Sequence, residues 1–371
     1  MNGKPLNVNL ILHPDNQGWV IEKFALKLQE YLPATGVNVS LSQRQRPEVD
    51  LNHWMSYAFA NEPQQTRATM FITHIDDPYK AALIRTELAS GIDLGICMSQ
   101  HSVQQLIELG APRQSLCAIL PAHDGLAVPR RICIGIATRL YADGRKREKF
   151  LVRLGRRMSL ESFRFEIFGS GWEAVIEELR SAGAEVGYFP GTLDYRADYQ
   201  LLLQHLPGFD YYLYTGMDEG SLGTLDAIAA GVPTIVTAQG FHLDLAEAIT
   251  NFFVDYEELE AIFRRLQAER ATRLAVAARL TWPLYAQRHA QIWRAVIAGE
   301  SARVVPDPSG IHGAIAENAG ARIAMPRISF WWRALRPRRL LSALGHTRRL
   351  KRLRDAWRDF QRTRGRGDRS A

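Results

Sequence analysis

The sequence predicts an α/β protein of two parallel sheets in tandem, followed by a basic helical tail. Three observations predict it. Apolar strand-like runs alternate with helical segments through residues 1–125, and a second series of the same kind begins at Ile132. A polar Pro/Gly connector, PAHDGLAVPRR at 121–131, separates the two series. Residues 209–236, FDYYLYTGMDEGSLGTLDAIAAGVPTIV, read as a strand, an acidic Gly-rich loop, a helix start and a second strand. Alternation of this kind favours parallel strands covered by helices on both faces.

The first series runs as follows. Leu6 to Leu12 is a strand and Val20 to Leu32 a helix; Val37 to Leu41 and Leu51 to Phe59 are the next strands. Thr69 to Thr73 is a short strand, Lys80 to Ala89 a helix and Leu94 to Met98 a strand. Val103 to Leu109 is a helix that Gly110 stops, and Leu116 to Leu120 a strand. In the second series Ile132 to Ala137, Phe163 to Phe168 and Val186 to Phe189 are strands. Glu148 to Met158, Glu173 to Ala182 and Asp198 to His205 are the helices between and after them. Phe209 to Tyr214 has strong β preference, Leu225 to Ala230 is Ala/Leu/Ile-rich and helical, Gly231-Val232-Pro233 ends that helix, and Thr234 to Val236 is a buried strand. Residues 283–299 form an amphipathic helix opening on Pro283. The expected domains are 1–125 and 126–300, with a Gly/Ala/Pro-rich linker over 301–326 and a tail over 327–371.

A chain of 371 residues, 46% hydrophobic and 23% charged, has the composition of a two-domain globular protein. It holds no apolar run of the length a spanning helix needs. Asn7 and Asn9 interrupt the first apolar stretch, so MNGKPLNVNLIL makes a poor signal peptide. Cys97, Cys117 and Cys133 sit in strand-like segments without metal spacing and read as buried thiols of a cytoplasmic protein. The net charge of +7 hides an asymmetry: residues 327–371 carry fourteen Arg and one Lys against three Asp, a net +12, leaving −5 for the rest.

Chemistry points to the loops that follow strands, since α/β folds bind anionic ligands at the carboxyl ends of strands and at helix N-termini. Thr215 to Gly223 holds three glycines and the acids Asp218 and Glu219, and Asp226 lies eight residues beyond Asp218. Phe168-Gly169-Ser170-Gly171-Trp172 joins a strand to a helix, where small residues let backbone approach a phosphate. Arg139, Arg145 and Lys146 follow the strand Ile132 to Ala137 and offer cations. His74 ends the strand MFITH, and Asp76 and Asp77 after it either touch an acceptor or cap the next helix. His13 to Trp19 forms the first loop; Gly18 permits close approach, and Trp19 either packs on its helix or stacks on a ligand ring. No P-loop, zinc spacing or Gly-x-Ser-x-Gly elbow is present.

The stretch 209–236 resembles the donor-site signature of family 4 glycosyltransferases of the GT-B fold: an acid, seven residues, an acid, a small-residue helix, then Gly-x-Pro before a strand. Asp218 and Asp226 keep the spacing, and Ala227, Ala229, Ala230, Gly231 and Pro233 keep the context. Both acids are aspartates where the family has glutamates, and Glu219-Gly220 offers an alternative Glu-Gly pair with a loop one residue shorter. The resemblance covers residues 1 to about 300 and is strongest over 132–240. It implies two Rossmann-like domains facing a cleft, with 283–299 crossing back onto the first. It also implies a glycosyltransferase that takes a nucleotide-diphosphate sugar as donor, transfers with retention and uses no metal or other cofactor. By the same resemblance Arg139 and Lys146 or Arg145 steady the departing diphosphate, and Gly169, Ser170 and Gly171 form the loop beside it. Asp226 holds ribose hydroxyls, Asp218 or Glu219 touches the sugar, and Gly220, Ser221, Leu222, Gly223 and Thr224 complete the donor loop. His74 and Gly18 lie near the transferred sugar, and Gly240 near the nucleotide. The aspartate replacements keep open a GT-B subunit that binds a sugar nucleotide without transferring it, and another GT-B enzyme, such as a sugar-nucleotide epimerase, is a further alternative.

The tail brings Leu350, Leu353, Trp357 and Phe360 to one side of a helix whose other side is strongly basic. An anionic membrane surface, met through residues 327–362, is the partner this pattern favours; packing on protein is the second reading, and nucleic acid is disfavoured by the acidic body. The expected location is cytoplasmic and peripheral at the inner face of the membrane, with a glycan or lipid-linked acceptor.

Overall fold

The computed structural model describes residues 5–300. The first half runs β1 (Leu6–Ile11), α1 (Val20–Tyr31), β2 (Val37–Ser42), β3 (Leu51–Trp54), β4 (Arg67–Ile72), α2 (Pro78–Ala89), β5 (Leu94–Cys97), α3 (Gln100–Glu108) and β6 (Leu116–Ala118). The second runs β7 (Ile132–Ala137), α4 (Lys149–Arg157), β8 (Phe163–Phe168), α5 (Glu173–Ser181), β9 (Glu185–Phe189), α6 (Tyr195–His205), β10 (Tyr211–Tyr214), α7 (Leu222–Ala229), β11 (Thr234–Thr237), α8 (Phe241–Asp244) and β12 (Asn251–Phe253). Two helices, α9 (Tyr256–Ala277) and α10 (Trp282–Ile297), complete the described chain. The linker and basic tail expected over 301–371 lie outside the described residues.

Two six-stranded sheets form, ordered β2-β1-β3-β4-β5-β6 and β12-β11-β10-β7-β8-β9, and every registered pair is parallel. This is the α/β, GT-B-like architecture the sequence predicts. In the second sheet the chain steps from β7 outward to β9, then returns to lay β10 on the other side of β7. The order therefore reverses between β7 and β10, the kind of place where α/β sheets bind ligands outside the carboxyl ends of their strands.

Burial explains the strand sequences. The core under the second sheet gathers Ile134, Ile136, Phe163, Phe165, Ile167 and Leu213, closed by Leu259, Phe263 and Leu266 of α9. Asn9, polar within β1, is fully buried and satisfied: its amide donates to Asn52 Oδ1 and to the Arg44 carbonyl, both at 2.9 Å, and its Oδ1 accepts from the hydroxyls of Ser40 and Ser42. The three cysteines are buried free thiols; burial pushes Cys97 and Cys133 up to about 12.

Some boundaries differ from the sequence reading. The strand expected over Leu51–Phe59 stops at Trp54, because Ser56 caps a short 3-10 turn over Tyr57–Phe59 by accepting the Ala58 N–H. The 22-residue α9 has no counterpart in that reading, yet its cap is legible: Asp255 Oδ1 accepts the Glu258 N–H, and Glu258 returns a carboxylate to the Val254 N–H. Pro283 takes the second helical position, one after Trp282.

Helix α10 carries the chain back to the first sheet. Its buried face, Trp282, Tyr285, Ala286, His289, Ala290, Trp293 and Val296, follows helical spacing and joins the core that holds Phe24, Leu28 and Phe71. Trp293 Nε1 donates to Thr69 Oγ1 at 3.1 Å, and Thr69 also meets His53 Nδ1 at 2.8 Å. The His53 and His289 rings lie 5.8 Å apart, fully buried, each with an Nε2 that has no partner among the described residues. Burial pushes His53 well below the usual histidine range and His289 down to about 4. Both rings are neutral when folded and take up protons more readily unfolded, so their contribution is complete above the unfolded pKa near 6.5 and is lost as pH falls toward 4. Thermal unfolding is expected to be flat just above that value and to lose about 3 kcal/mol from His289 alone on acidification to pH 4. His289→Leu is expected to flatten that limb; equal slopes for wild type and variant would refute the assignment.

Candidate active site

The loops leaving β7 and β10 meet at the reversal of strand order. Thr215 Oγ1 donates to the Lys146 carbonyl at 2.5 Å, and the Met217 N–H donates to the Arg145 carbonyl at 2.8 Å. Arg147, with a positive φ of 49°, spans both loops: its Nε donates to the Thr215 carbonyl at 2.8 Å and its Nη1 to the Val254 carbonyl at 3.0 Å. A non-glycine residue in that conformation persists only where its surroundings hold it.

At the centre of this junction Lys146 is buried. Its Nζ donates to Asp218 Oδ2 at 2.6 Å and to Tyr214 Oη at 2.7 Å, and it sits 4.9 Å from the centre of the Tyr214 ring. The Tyr214 hydroxyl in turn donates to Asp218 Oδ1. Burial alone raises the Asp218 carboxyl, but the hydrogen bonds from Lys146 and Tyr214 outweigh it and hold the group below the usual carboxylate range. The same environment drives the Tyr214 hydroxyl far above its ordinary value, so it stays a donor.

This geometry separates the competing sequence candidates. Lys146, not Arg145, reaches Asp218. Arg145 is exposed, pairs with Asp143 at 3.4 Å and lies over the Tyr141 ring. Arg139 is exposed, with no side-chain partner among the described residues, and lines a cavity of about 260 Å³ with Thr138, Gly169, Tyr195 and Tyr199. Asp218 is tied into the junction, whereas Glu219 is exposed beside it without a side-chain partner among the described residues.

The donor loop is shorter than expected. Helix α7 starts at Leu222 rather than Leu225, so Leu222, Gly223 and Thr224 are helical as well, and Asp226 sits one turn inside. Gly223 is helical because α7 runs close over β10: a Cβ there would meet the Tyr212 ring carbon Cζ at 2.8 Å. Thr224 is fully buried, and its hydroxyl goes to His242 Nε2 at 3.1 Å; the Ser221 hydroxyl pairs with Tyr212 Oη at 2.8 Å. Those two side chains hold the loop and are not free for a ligand. Asp226 accepts the Tyr199 hydroxyl at 2.8 Å, and Tyr199 stacks on Tyr195 at the cavity wall.

The Gly169 turn behaves as its sequence suggests, with φ of +118° and +92° at Gly169 and Gly171. A Cβ on Gly169 would come within 2.7 Å of the Thr138 carbonyl carbon, so the turn lies directly on the loop after β7. Glu173 stands in the first turn of α5 beyond this loop and accepts the Tyr188 hydroxyl at 2.7 Å. Gly169→Ala is expected to cost about 1–3 kcal/mol, from backbone strain and this clash together. Denaturant melts check it; an unchanged midpoint would mean the turn is not compressed.

On the first sheet, His74 is exposed after β4. Its Nε2 accepts from Lys80 Nζ at 2.8 Å and its Nδ1 meets Thr73 Oγ1 at 2.7 Å. Asp77 caps α2 by accepting the Lys80 N–H at 2.9 Å, and Asp76 pairs with Lys80. The Gly18 N–H is taken by Glu22 at 2.5 Å, and Trp19 is 72% exposed rather than packed on its helix. Among the described residues no side-chain contact joins His74 or Gly18 to the Lys146–Asp218 junction.

Tyr214, Tyr199 and Arg147 are site residues that the sequence reading did not single out; Tyr214 ends β10, whereas Tyr199 lies inside α6 and Arg147 in the long loop before α4. Among the described residues no group of three or more metal-ligating side chains forms, and no helix is long and apolar enough to cross a membrane.

No protein-family model matches the chain, and no curated protein sequence does. Solved structures similar to it include the lipopolysaccharide outer core galactosyltransferase WaaB in its apo form, at 13% identity over 80% of this chain and 100% of that one, with a TM-score of 0.32. Anabaena Alr3699/HepE in complex with UDP and glucose matches at 13% identity over 85% and 99%, with a TM-score of 0.27. Sucrose-phosphate synthase from Thermosynechococcus elongatus matches at 13% over 79% and 100%, with a TM-score of 0.33. Likenesses of this size carry no argument about function; the fold rests on the strand order, and the site on its own geometry.

Proposed function

We propose that the chain is a GT-B glycosyltransferase that moves a sugar from a nucleotide-diphosphate donor. The observation that carries the reading is the Lys146–Tyr214–Asp218 junction, set where strand order reverses and flanked by the Gly169 turn and Asp226. A sugar nucleotide leaves as a diphosphate, and negative charge grows on it as the glycosidic bond breaks. A cation already desolvated and fixed by two hydrogen bonds stabilises that charge with little reorganisation. Lys146 supplies this cation, and Arg139, which lines the cavity beside the Gly169 turn, supplies a second. Asp226, oriented by Tyr199, accepts ribose hydroxyls; Glu219 is free to meet the sugar, while Asp218 holds Lys146. Transfer proceeds with retention and without a metal. The acceptor is a glycan or a lipid-linked glycan, and His74 orients it or a sugar hydroxyl. The protein works at the inner face of a membrane.

The first test is ligand-induced thermal shift with UDP-, GDP- and ADP-sugars and their free nucleotides. At 100 times Kd a ligand stabilises by about 2.7 kcal/mol. One responsive sugar nucleotide identifies the donor; no shift at saturation removes the donor site. With that donor and its acceptor, Lys146→Ala is expected to lower kcat by roughly 100-fold or more, the scale of losing one fixed charge-stabilising donor, and Asp226→Asn to act mainly on donor KM. Full activity in Lys146→Ala would sink the catalytic assignment.

Residues 327–362 anchor the protein on anionic lipid. Each cation near such a surface is worth about 1 kcal/mol. Flotation with vesicles containing phosphatidylserine is expected to carry the full chain and leave behind a chain ending at Asn318. Equal flotation of both would dismiss the tail as the anchor.

A further inference from the structure

His242 is a fully buried imidazole that the proposed chemistry leaves unused, and its three hydrogen bonds all go to the donor loop or its neighbours. Its Nε2 faces the Ser221 N–H at 3.3 Å and the Thr224 hydroxyl at 3.1 Å, and its Nδ1 faces the Thr237 carbonyl at 3.0 Å. A backbone N–H can only donate and a carbonyl can only accept. The ring therefore carries its proton on Nδ1 and keeps a lone pair on Nε2.

The geometry points to His242 as the positioning residue of the donor loop, a neutral clasp that fixes Ser221 at the start of α7 and lets go when its ring is protonated. This rests on the donor-site reading only for what the loop binds, not for the clasp itself.

Three features of the surroundings support it. Gly220 has φ of +123°, and a Cβ there would meet His242 Nε2 at 3.0 Å, so the loop is pressed onto the ring. Gly240 brings the chain before α8 onto the Glu219 carbonyl, which accepts the Phe241 N–H at 3.0 Å, and Gln239 Nε2 donates to the Asp218 carbonyl at 3.1 Å. The loop is thus held along its length by 239–242, and His242 is the one titratable member of that set. With a proton on Nε2, two donors would face each other across Ser221, and an ionised ring would stand in a buried site.

The charged and titratable groups around the ring are few. From the loop after β10, Asp218 faces it, its charge already taken up by Lys146. From β10, the Tyr214 ring packs edge-on at 5.6 Å. From α7 and β11 come only Thr224 and the Thr237 carbonyl, and Phe241 flanks it on α8. Burial favours the neutral ring more strongly than Thr237 and Asp218 favour the charged one.

Full-length wild type, His242→Gln and His242→Phe are compared by hydrogen-exchange mass spectrometry on peptides spanning 215–226, near pH 7.5 and pH 5.5, and by calorimetry with UDP, GDP and ADP. Glutamine keeps an acceptor but does not titrate; phenylalanine keeps the ring and removes the acceptor. In wild type, protection of the loop is expected to be high at the upper pH and to fall about tenfold at the lower one. In His242→Gln it is expected to stay high at both, and in His242→Phe to be low at both. Nucleotide affinity follows protection, with roughly tenfold weakening in His242→Phe, the scale of one buried hydrogen bond. Equal protection in the three proteins at both pH values overturns the clasp, and a loss of protection that leaves nucleotide affinity unchanged overturns its link to donor binding. If His242→Phe does not fold, the contrast in pH dependence between wild type and His242→Gln decides. If protection behaves as expected while wild type binds none of the three nucleotides, the clasp stands and the donor-site reading fails.

Discussion

The site depends on one buried cation. Lys146 leaves the loop after β7 and is neutralised by Asp218 from the loop after β10, so a single ion pair bridges the two loops that the sheet topology would otherwise let diverge. Its side chain is only 10% exposed, and the partner carboxylate 28%. Burying two charges costs several kcal/mol each before their attraction repays it, and such a pair is weak support for stability. Removing one partner is a different matter, because the survivor is left charged, dry and alone. That asymmetry suits a binding site better than a strut. An incoming anion can share the ammonium, and Tyr214, held between both ions, keeps a hydrogen bond to Asp218 while it does so.

The surrounding elements keep that pair in place by different means. Arg147 and Thr215 fix the two backbones to each other with neutral and charge-assisted hydrogen bonds. Tyr212, wholly buried in β10, supports the start of α7 through the Ser221 hydroxyl. Glycine is required where these layers touch. At Gly169 and Gly220 the backbone is left-handed and a side chain would strike a neighbouring loop, so precision at the junction comes from missing atoms as much as from contacts.

Most of the fold was legible in the sequence because burial writes itself into parallel strands. ICIGIA and TIVT are nearly continuous apolar or β-branched runs, as strands covered on both faces are, and FRFEIF alternates Phe and Ile with charged residues. The helix α9 escaped because its buried face, Tyr256, Leu259, Phe263 and Leu266, is confined to its first half and its cap, Asp255 with Glu258, lies beyond the motif that drew attention. The site was legible in part. Spacing placed Asp218, Lys146 and the Gly169 turn, since each follows a strand. It could not choose Lys146 over Arg145, because adjacent residues in a loop point in directions set by contacts from β10. It also began the helix at Leu225 rather than Leu222, because Leu222-Gly223-Thr224 has poor helix propensity; the close approach of α7 to Tyr212 makes a glycine there an asset.

The return of α10 makes the two halves one thermodynamic object. The first sheet finishes its core with Trp282, Tyr285, Trp293 and Val296, which come from the far end of the described chain. Residues 5–125 alone would expose the faces of Phe24 and Phe71 that those rings cover, and Thr69 and His53 would lose the indole that closes their pocket. The connector adds a second tie, since Asp124 accepts from Lys23 of α1 and from Trp282 Nε1, and the His123 N–H donates to the Leu280 carbonyl. The chain therefore crosses between its halves at two adjacent places, His123 and Thr281, which pair as a parallel bridge. Helix α10 belongs to the core of the first sheet and α9 to the core of the second, so the chain changes cores between them. The few residues between Ala277 and Trp282 are the part of this joint packed into neither core.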